Sequence, residues 1–254
     1  MSVHNGERHL KESIESVLNQ TFGDFEFIIV DDASTDATAV LLDEYTRADE
    51  RVRLVTNKEN LGLTKSLNIA LQKARGEYIA RMDADDISLP ERFEKQVRFL
   101  DKYLSHSIVG SWMKIINDQS KEIDVWETET SDDQIKKALI RYNPMFHPTV
   151  MIRKNLLDQI GGYDEAWRYA QDYELYFRLS RTGKMANIPE YLLKYRVSKK
   201  SITVSRNTKQ AVCALRAQWK GITSGLYSPP NIVFLIRPII GMLLPKSFKD
   251  LYKS

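Results

Sequence analysis

The chain has 254 residues, of which 43% are hydrophobic, and a formal net charge of +3. This is enough to bury a full core in one large α/β domain, with room for an appendage. Cys213 is the only cysteine, which excludes an intrachain disulfide and a cysteine-based zinc site. The charge is unevenly spread: residues 199 to 254 hold ten Lys/Arg against the single acid Asp250, leaving the first 198 residues net acidic. An acidic body with a basic tail suits contact between that tail and an anionic surface. No basic segment followed by an apolar one opens the chain, so a cytoplasmic protein without a secretory leader is expected.

Taken in order, residues 1 to 7 read as the end of a strand and its turn. A strand of ordinary length needs a few more apolar residues ahead of Ser2, so Met1 is expected to be internal to a longer natural strand. Leu10, Ile14, Val17 and Leu18 then recur at helical spacing. Phe25 to Val30 is a short apolar strand that runs directly into Asp31-Asp32-Ala33-Ser34-Thr35-Asp36. Ser34 to Asp36 suit the cap of a helix over residues 37 to 48, but capping does not account for Asp31 and Asp32 side by side. Val52 to Val55 is a further strand, followed by a polar loop to Gly62 and a helix over 64 to 74 that Gly76 is expected to close.

Tyr78 to Met82 reads as a buried strand, and Asp83-Ala84-Asp85-Asp86 follows it. Three carboxylates within four positions repel one another unless a cation or a ring of donors neutralises them. Asp83 and Asp85 therefore invite a divalent ion, and their hard oxygens suit Mg²⁺ or Mn²⁺. Read without function, the same residues make a surface turn before the helix near Pro90. The alternation of strands and helices up to this point predicts a mainly parallel sheet with helices on both faces. Ligands of such sheets bind beyond the carboxyl ends of the strands, where both acidic clusters fall.

Residues 91 to 104 form an amphipathic helix, and Ile108 to Ile116 with Ile123 to Trp126 predict an antiparallel hairpin around Asn117 to Ser120. A helix over 132 to 142, a Pro-bounded extended loop at 143 to 148, a strand at 149 to 152 and a short helix lead to the Gly161-Gly162-Tyr163-Asp164 turn. A loop with Trp167 and Tyr169 precedes a helix from Asp172 to Leu179, and Ile188 to Arg196 is a last extended segment. Beyond residue 204 the character changes. Residues 202 to 221 read as a basic helix, and the apolar run from 232 to 244 is too short and interrupted to span a bilayer. It fits a helix lying in the membrane interface, with Lys246, Lys249 and Lys253 near anionic headgroups, or a helix packed on the body or a partner.

These landmarks resemble, in order and spacing, the family 2 glycosyltransferases with their GT-A fold. The resemblance covers residues 2 to about 204 and is carried by Val3-His4-Asn5-Gly6-Glu7, Val30 to Asp36, Asn60-Leu61-Gly62-Leu63, Asp83 to Asp86, His147-Pro148-Thr149, Gly161-Gly162-Tyr163, Gln171-Asp172 and Tyr195-Arg196. It implies a GT-A catalytic domain over 1–204, with a small antiparallel element, and a helical extension over 205–254. It also implies a metal-assisted, inverting transfer of a sugar from a nucleotide diphosphate sugar to a hydroxyl of a saccharide or lipid-linked saccharide.

On that resemblance Val3, Asn5, Glu7, Asp31, Asp32, Asn60, Lys65, Arg81, Asp83 and Ala84 line the nucleotide-sugar site. The acidic pair recognises the base of a UDP-sugar, with dTDP or GDP as alternatives, and Arg81 suits the diphosphate. Asp85, with Asp83, holds the metal, Mn²⁺ or Mg²⁺. Asp172 is the general base that takes the proton of the acceptor hydroxyl; by capping logic alone it is an ordinary first-turn acid. His147, Trp167, Tyr169 and Gln171 fall on the acceptor side, and the two aromatics are equally readable as core. No nucleic-acid partner is implied.

The chain departs from the family in having Gln171 where many members have Glu. Ser198 stands where members often carry a metal-site histidine, making His147 a candidate substitute ligand. An inactive nucleotide-sugar binder is the alternative function. Dehydrogenase and P-loop chemistry are excluded by the absence of G-x-G-x-x-G and G-x-x-x-x-G-K-[ST]. Nucleotidyl transfer would want a Gly-rich basic loop where Asn5-Gly6-Glu7 stands.

Overall fold

A computed structural model of the protein describes residues 1–197 and 208–235. Its first half is built as the hydrophobic alternation requires. The strand β1 (Ser2–Val3) leads to helix α1 (Leu10–Leu18), β2 (Phe27–Asp31) to α2 (Thr38–Ala48), and β3 (Val52–Thr56) to α3 (Leu63–Lys73). The three strands pair in parallel in the order β1-β2-β3. All five residues of β2 are buried, because both faces of a parallel sheet are covered by helices.

The second half pairs more of its strands antiparallel than the single expected hairpin. β4 (Tyr78–Ala80), β8 (Met151–Arg153), β6 (His106–Ile116), β9 (Lys184–Arg196) and β5 (Ile87–Ser88) follow one another across the sheet, and β7 (Glu122–Trp126) pairs with β6. Only the β6–β9 pairing within this sheet is parallel. Helices α4 (Arg92–Lys102), α5 (Asp132–Leu139), α6 (Lys154–Gln159), α7 (Gln171–Leu179) and α8 (Thr208–Thr223) complete the described chain, with a 3₁₀ segment over Pro229–Leu235.

A single bridge joins the sheets. Ser2 lies alongside Asp83 in parallel register, while Ser2 and Val3 pair with Val30 and Asp31. The end of β1 is thus flanked by the acidic end of β2 on one side and the acids that follow β4 on the other. Two apolar clusters hold the layers. One gathers Leu10, Ile14, Ile29, Leu42, Leu100 and Met113, the other Ile108, Leu139, Ile152, Trp167 and Tyr176. Each fully buried aliphatic side chain contributes about 1.5–3 kcal/mol relative to leaving it in water.

Several local expectations change. α3 ends at Lys73 through an extended Ala74, so Gly76, three residues later, does not act as its cap. The Pro148 loop closes into a 3₁₀ turn over His147–Thr149 instead of running extended, since Thr149 N–H and its Oγ1 both return to the Phe146 carbonyl. Of the basic helix expected over 202 to 221, the described part is α8, residues 202 to 207 lie outside the described residues, and residues 229 to 235 form a 3₁₀ segment. Ser198, the domain boundary at 204 and the remainder of the proposed interfacial helix, with Lys246, Lys249 and Lys253, lie outside the described residues.

Candidate functional site

The first wall of the site is the loop after β2. Asp31 is buried and its Oδ1 accepts from Ser34 N–H at 3.0 Å, closing a turn on its own loop. Asp32 points the other way. Its Oδ1 accepts from Asn57 Nδ2 at 2.7 Å and Leu61 N–H at 2.9 Å, and its Oδ2 from Gly62 N–H at 2.8 Å. Gly62 has φ of 85°, a conformation that a side chain would strain, and this lets its N–H turn toward the carboxylate. Burial pushes the Asp32 pKa up, but the bonds from Asn57, Leu61, Gly62 and Ser66 outweigh it and hold the group below the usual aspartate value. Asp32 therefore anchors the loop carrying Asn60, whose side chain is exposed, as is that of Lys65 on α3.

The β1 loop is tied to the same wall. Asn5 N–H donates to Ser34 Oγ at 2.9 Å, and its Oδ1 accepts from Thr35 N–H at 2.8 Å. Glu7 Oε2 accepts from Ala37 N–H at 2.9 Å, so Glu7 satisfies an orphan donor at the start of α2. Asp36 does the same for Thr38 N–H at 3.0 Å. Val3 is buried, and Ala84 packs against the same apolar cluster.

The second wall is Asp83 to Asp86. Oxygens of Asp83, Asp85 and Asp86 lie within 4.8 Å of one another, the one such grouping of potential metal ligands among the described residues. Arg81, buried, forms an ion pair with Asp83. Burial, and then the charge of Asp83, push the Asp85 pKa up to about 6. Asp86 is fully buried and raised well above the ordinary value by burial and by both neighbouring acids. Its Oδ1 accepts from Arg196 N–H at 2.9 Å, while its Oδ2 has no partner. A divalent cation fits this set, because it would relieve the repulsion that raises these groups.

Arg196 was visible in the sequence only as a landmark, and the structure makes it the brace of the acidic loop. Its Nε donates to the Asp85 carbonyl at 2.8 Å, its Nη1 to the Asn117 carbonyl at 2.9 Å, and its Nη2 to Glu12 Oε2 at 2.6 Å. Arg92 braces the neighbouring strand in the same way, donating from Nη2 to the Arg81 carbonyl at 2.6 Å.

The third wall is the start of α7. Ala170 has φ of 54°, a left-handed conformation that costs a non-glycine residue about 1–2 kcal/mol, and it sets the direction in which Gln171 and Asp172 enter the helix. Asp172 Oδ2 accepts from Asn143 Nδ2 at 2.8 Å. Burial raises its pKa, an effect moderated by the Tyr173 N–H and the charge of Arg81. Arg81 thus acts electrostatically on both Asp83 and Asp172, which couples the second and third walls. Asn143 was passed over in the sequence because an asparagine before proline is an ordinary turn residue.

Two acceptor-side expectations are corrected. Trp167 is 1% exposed, belongs to the second core cluster, and has Arg216 over its ring at 4.7 Å, so it presents no open face for stacking. His147 is buried, its Nε2 is 2.8 Å from Tyr163 Oη, and burial holds its pKa well below the usual value. It is not among the clustered acids and does not replace a ligand there. Tyr169 remains half-exposed and Gln171 is buried at the start of α7.

A cavity of about 690 Å³ is lined by Phe27, Ile28, Ile79, Ala80, Arg81 and Phe93. Met1 N donates to the Ile28 carbonyl beside it at 2.9 Å. Asp32, Asp85 and Asp172 do not line this cavity, whereas Arg81, the ion-pair partner of Asp83, does.

The sequence profile described as "Glycosyl transferase family 2" matches residues 1–162. An uncharacterized glycosyltransferase of Haemophilus influenzae is 36% identical over 230 residues, covering 87% of this chain and 71% of that protein. The putative glycosyltransferase EpsE of Bacillus subtilis is 32% identical over 262 residues, covering 99% and 91% respectively. Among solved structures, S. aureus TarS with UDP matches with a TM-score of 0.67 at 22% identity, covering 85% of this chain and 62% of that one. A mannosyltransferase of Pyrobaculum calidifontis, in complex with GDP-Man and Mn²⁺, matches with a TM-score of 0.70 at 18% identity, covering 93% and 66%. The chain spans less than two thirds of the TarS chain; these structural likenesses show the fold.

Proposed function

The chain belongs to glycosyl transferase family 2 and is a glycosyltransferase, and on that premise we propose that it moves a sugar from a nucleoside diphosphate donor to a hydroxyl of a growing saccharide, free or lipid-linked. The observation that carries this reading is the convergence of acids around β1: Val3 pairs with Asp31, Ser2 bridges Asp83, and Arg81 acts on both Asp83 and Asp172. The donor class draws support from fold neighbours solved with UDP, UDP-GlcNAc and GDP-Man. The acceptor class draws support from relatives named for O-antigen and amylovoran biosynthesis.

In this reading Asp85, with Asp83, holds a divalent ion, Mn²⁺ or Mg²⁺. When bound, such an ion neutralises charge on the diphosphate as it leaves. The other steps belong to the protein. The loops bearing Asn5, Asp31, Asn60 and Lys65 form the nucleotide wall, with Asp32 fixing its shape. Arg81 adds positive charge beside the diphosphate. Asp172, held by Asn143, takes the proton of the acceptor hydroxyl as its oxygen attacks the anomeric carbon from the side opposite the leaving group, which inverts that carbon.

The basic region beyond residue 204 brings the enzyme to an anionic membrane surface, where a lipid-linked acceptor would lie. No helix of the described residues is long and apolar enough to cross a membrane. The test is a panel of UDP-, dTDP- and GDP-sugars with Mn²⁺, assayed for nucleotide release with and without saccharide acceptors. One donor class should be consumed faster with an acceptor than without. Donor binding with no turnover on any acceptor would instead support the inactive-binder reading, which the naming of its relatives as glycosyltransferases does not favour.

A further inference from the structure

The outer face of α8 is unlike the rest of the surface. Val212, Arg216, Trp219 and Thr223 recur at spacings of four, three and four, one helical face, and all four are exposed. Val212 is 51% and Trp219 49% exposed. The 3₁₀ segment packed on α8 adds Ile232 at 50% and Val233 at 53%. The inner face is occupied: Ala217 and Gln218 are buried, Gln218 Nε2 donates to the Ile140 carbonyl at 3.0 Å, and Gly221 sits against the Phe177 ring where a side chain would collide. Packing therefore fixes which face is outward.

α8 carries Lys209, Arg216 and Lys220, of which Lys220 is paired with Glu174 and Asp164. Neither α8 nor the Pro229–Leu235 segment contains an acid, and residues 199 to 254 hold ten Lys/Arg against Asp250 alone. Exposed Trp and aliphatic side chains interleaved with cations are the pattern of an element lying in the headgroup region of a bilayer: the indole sits at the interface and the cations meet anionic lipid. The same helix carries Arg216 over Trp167, and Lys220 Nζ donates to Glu174 Oε1 of α7 at 2.7 Å. A surface docked through α8 is thus mechanically joined to α7, the helix that carries Asp172 in its first turn.

We infer that the outer face of α8, with Val212 and Trp219 at its centre and Ile232 and Val233 beside it, is the surface that rests on an anionic lipid bilayer. The inference deepens the membrane reading proposed above and rests on it. The probe is a sedimentation assay with vesicles of phosphatidylcholine alone or mixed with phosphatidylglycerol, comparing the full chain with the V212S/W219S pair and with W219F. The full chain should bind the anionic vesicles, with affinity falling about tenfold in V212S/W219S and little in W219F. Brominated lipid should quench tryptophan fluorescence in the full chain and lose most of that quenching in V212S/W219S. Unchanged circular dichroism and nucleotide release establish that the variants are folded.

If the full chain does not bind vesicles at all, the membrane reading itself is wrong. If it binds and V212S/W219S binds equally well, that reading survives and the α8 surface is wrong. Equal binding to neutral and anionic vesicles would overturn the lipid chemistry. Self-association in the ultracentrifuge that V212S/W219S abolishes, without an effect on vesicles, would make the face an interface between copies of the chain.

Discussion

Asp32 and Asp172 are the same residue type, each largely enclosed by protein, and their environments push them in opposite directions. Asp32 receives donors from Asn57, Leu61 and Gly62, so its ionised form is favoured and its pKa falls. Asp172 receives one side-chain donor, from Asn143, and burial raises its pKa. A carboxylate saturated by protein donors is a structural anion, whereas one left partly unsatisfied retains the capacity to take a proton. In the proposed function this difference divides the site into a preset nucleotide wall and a reactive acceptor wall.

The comparison is most severely strained by removing its reactive member. Asp172→Asn should lower kcat by about 10³-fold, within the range for loss of a general base, while the affinity for a nucleoside diphosphate with Mn²⁺ stays within about twofold. Single-turnover kinetics beside calorimetric titration would check both. Asp85→Asn should weaken metal-dependent donor binding by about a hundredfold and leave the metal-independent part unchanged.

Asp32→Ala probes the other member through stability. It strips buried N–H donors of their acceptor, so the cost should be about 3 kcal/mol and Tm should fall by roughly 6–12 °C. The sign with pH follows from the lowered pKa. The contribution of Asp32 is present above the unfolded-state value of about 3.9 and is lost as pH falls through the lower folded value, so the gap between variant and parent should close on acidification. Denaturation melts at several pH values would show it.

The smallest effect sharpens the comparison further. Asn143→Ala removes a bond that favours ionised Asp172, so kcat/KM at neutral pH should fall only about three- to tenfold. As the proposed general base Asp172 would work only when ionised, and burial raises its pKa. Activity should therefore fall with decreasing pH at a higher pH than an exposed aspartate would give, and Asn143→Ala should move that limb higher still. A pH–rate profile of both proteins would show whether the limb moves.

Much of this arrangement was legible in the residues. The run from Phe25 to Val30 and the acids after it are read from hydrophobicity and order alone, and the structure has β2 end at Asp31. What stayed hidden is long-range. The parallel pairing of β6 with β9 joins segments whose sequences carry no record of partner or register. Arg196 reaches back to Asp85 across 111 residues, and nothing local announces that its guanidinium is buried. Trp167 read equally well as a stacking platform or as core, because an aromatic in a polar loop does not reveal which face is covered. His147 was drawn toward the metal by its residue type, whereas its neighbours made it a buried partner of Tyr163.

The most direct test is thermal unfolding with UDP or GDP, with and without Mn²⁺, in the parent chain, Asp85→Asn and Asp172→Asn. A ligand that binds the folded state raises its apparent stability. One nucleotide together with Mn²⁺ should raise the Tm of the parent and of Asp172→Asn alike, with most of that rise absent in Asp85→Asn. Loss of the rise in Asp172→Asn as complete as in Asp85→Asn, or no rise in the parent with any nucleotide and metal, would contradict the division of labour between the two walls.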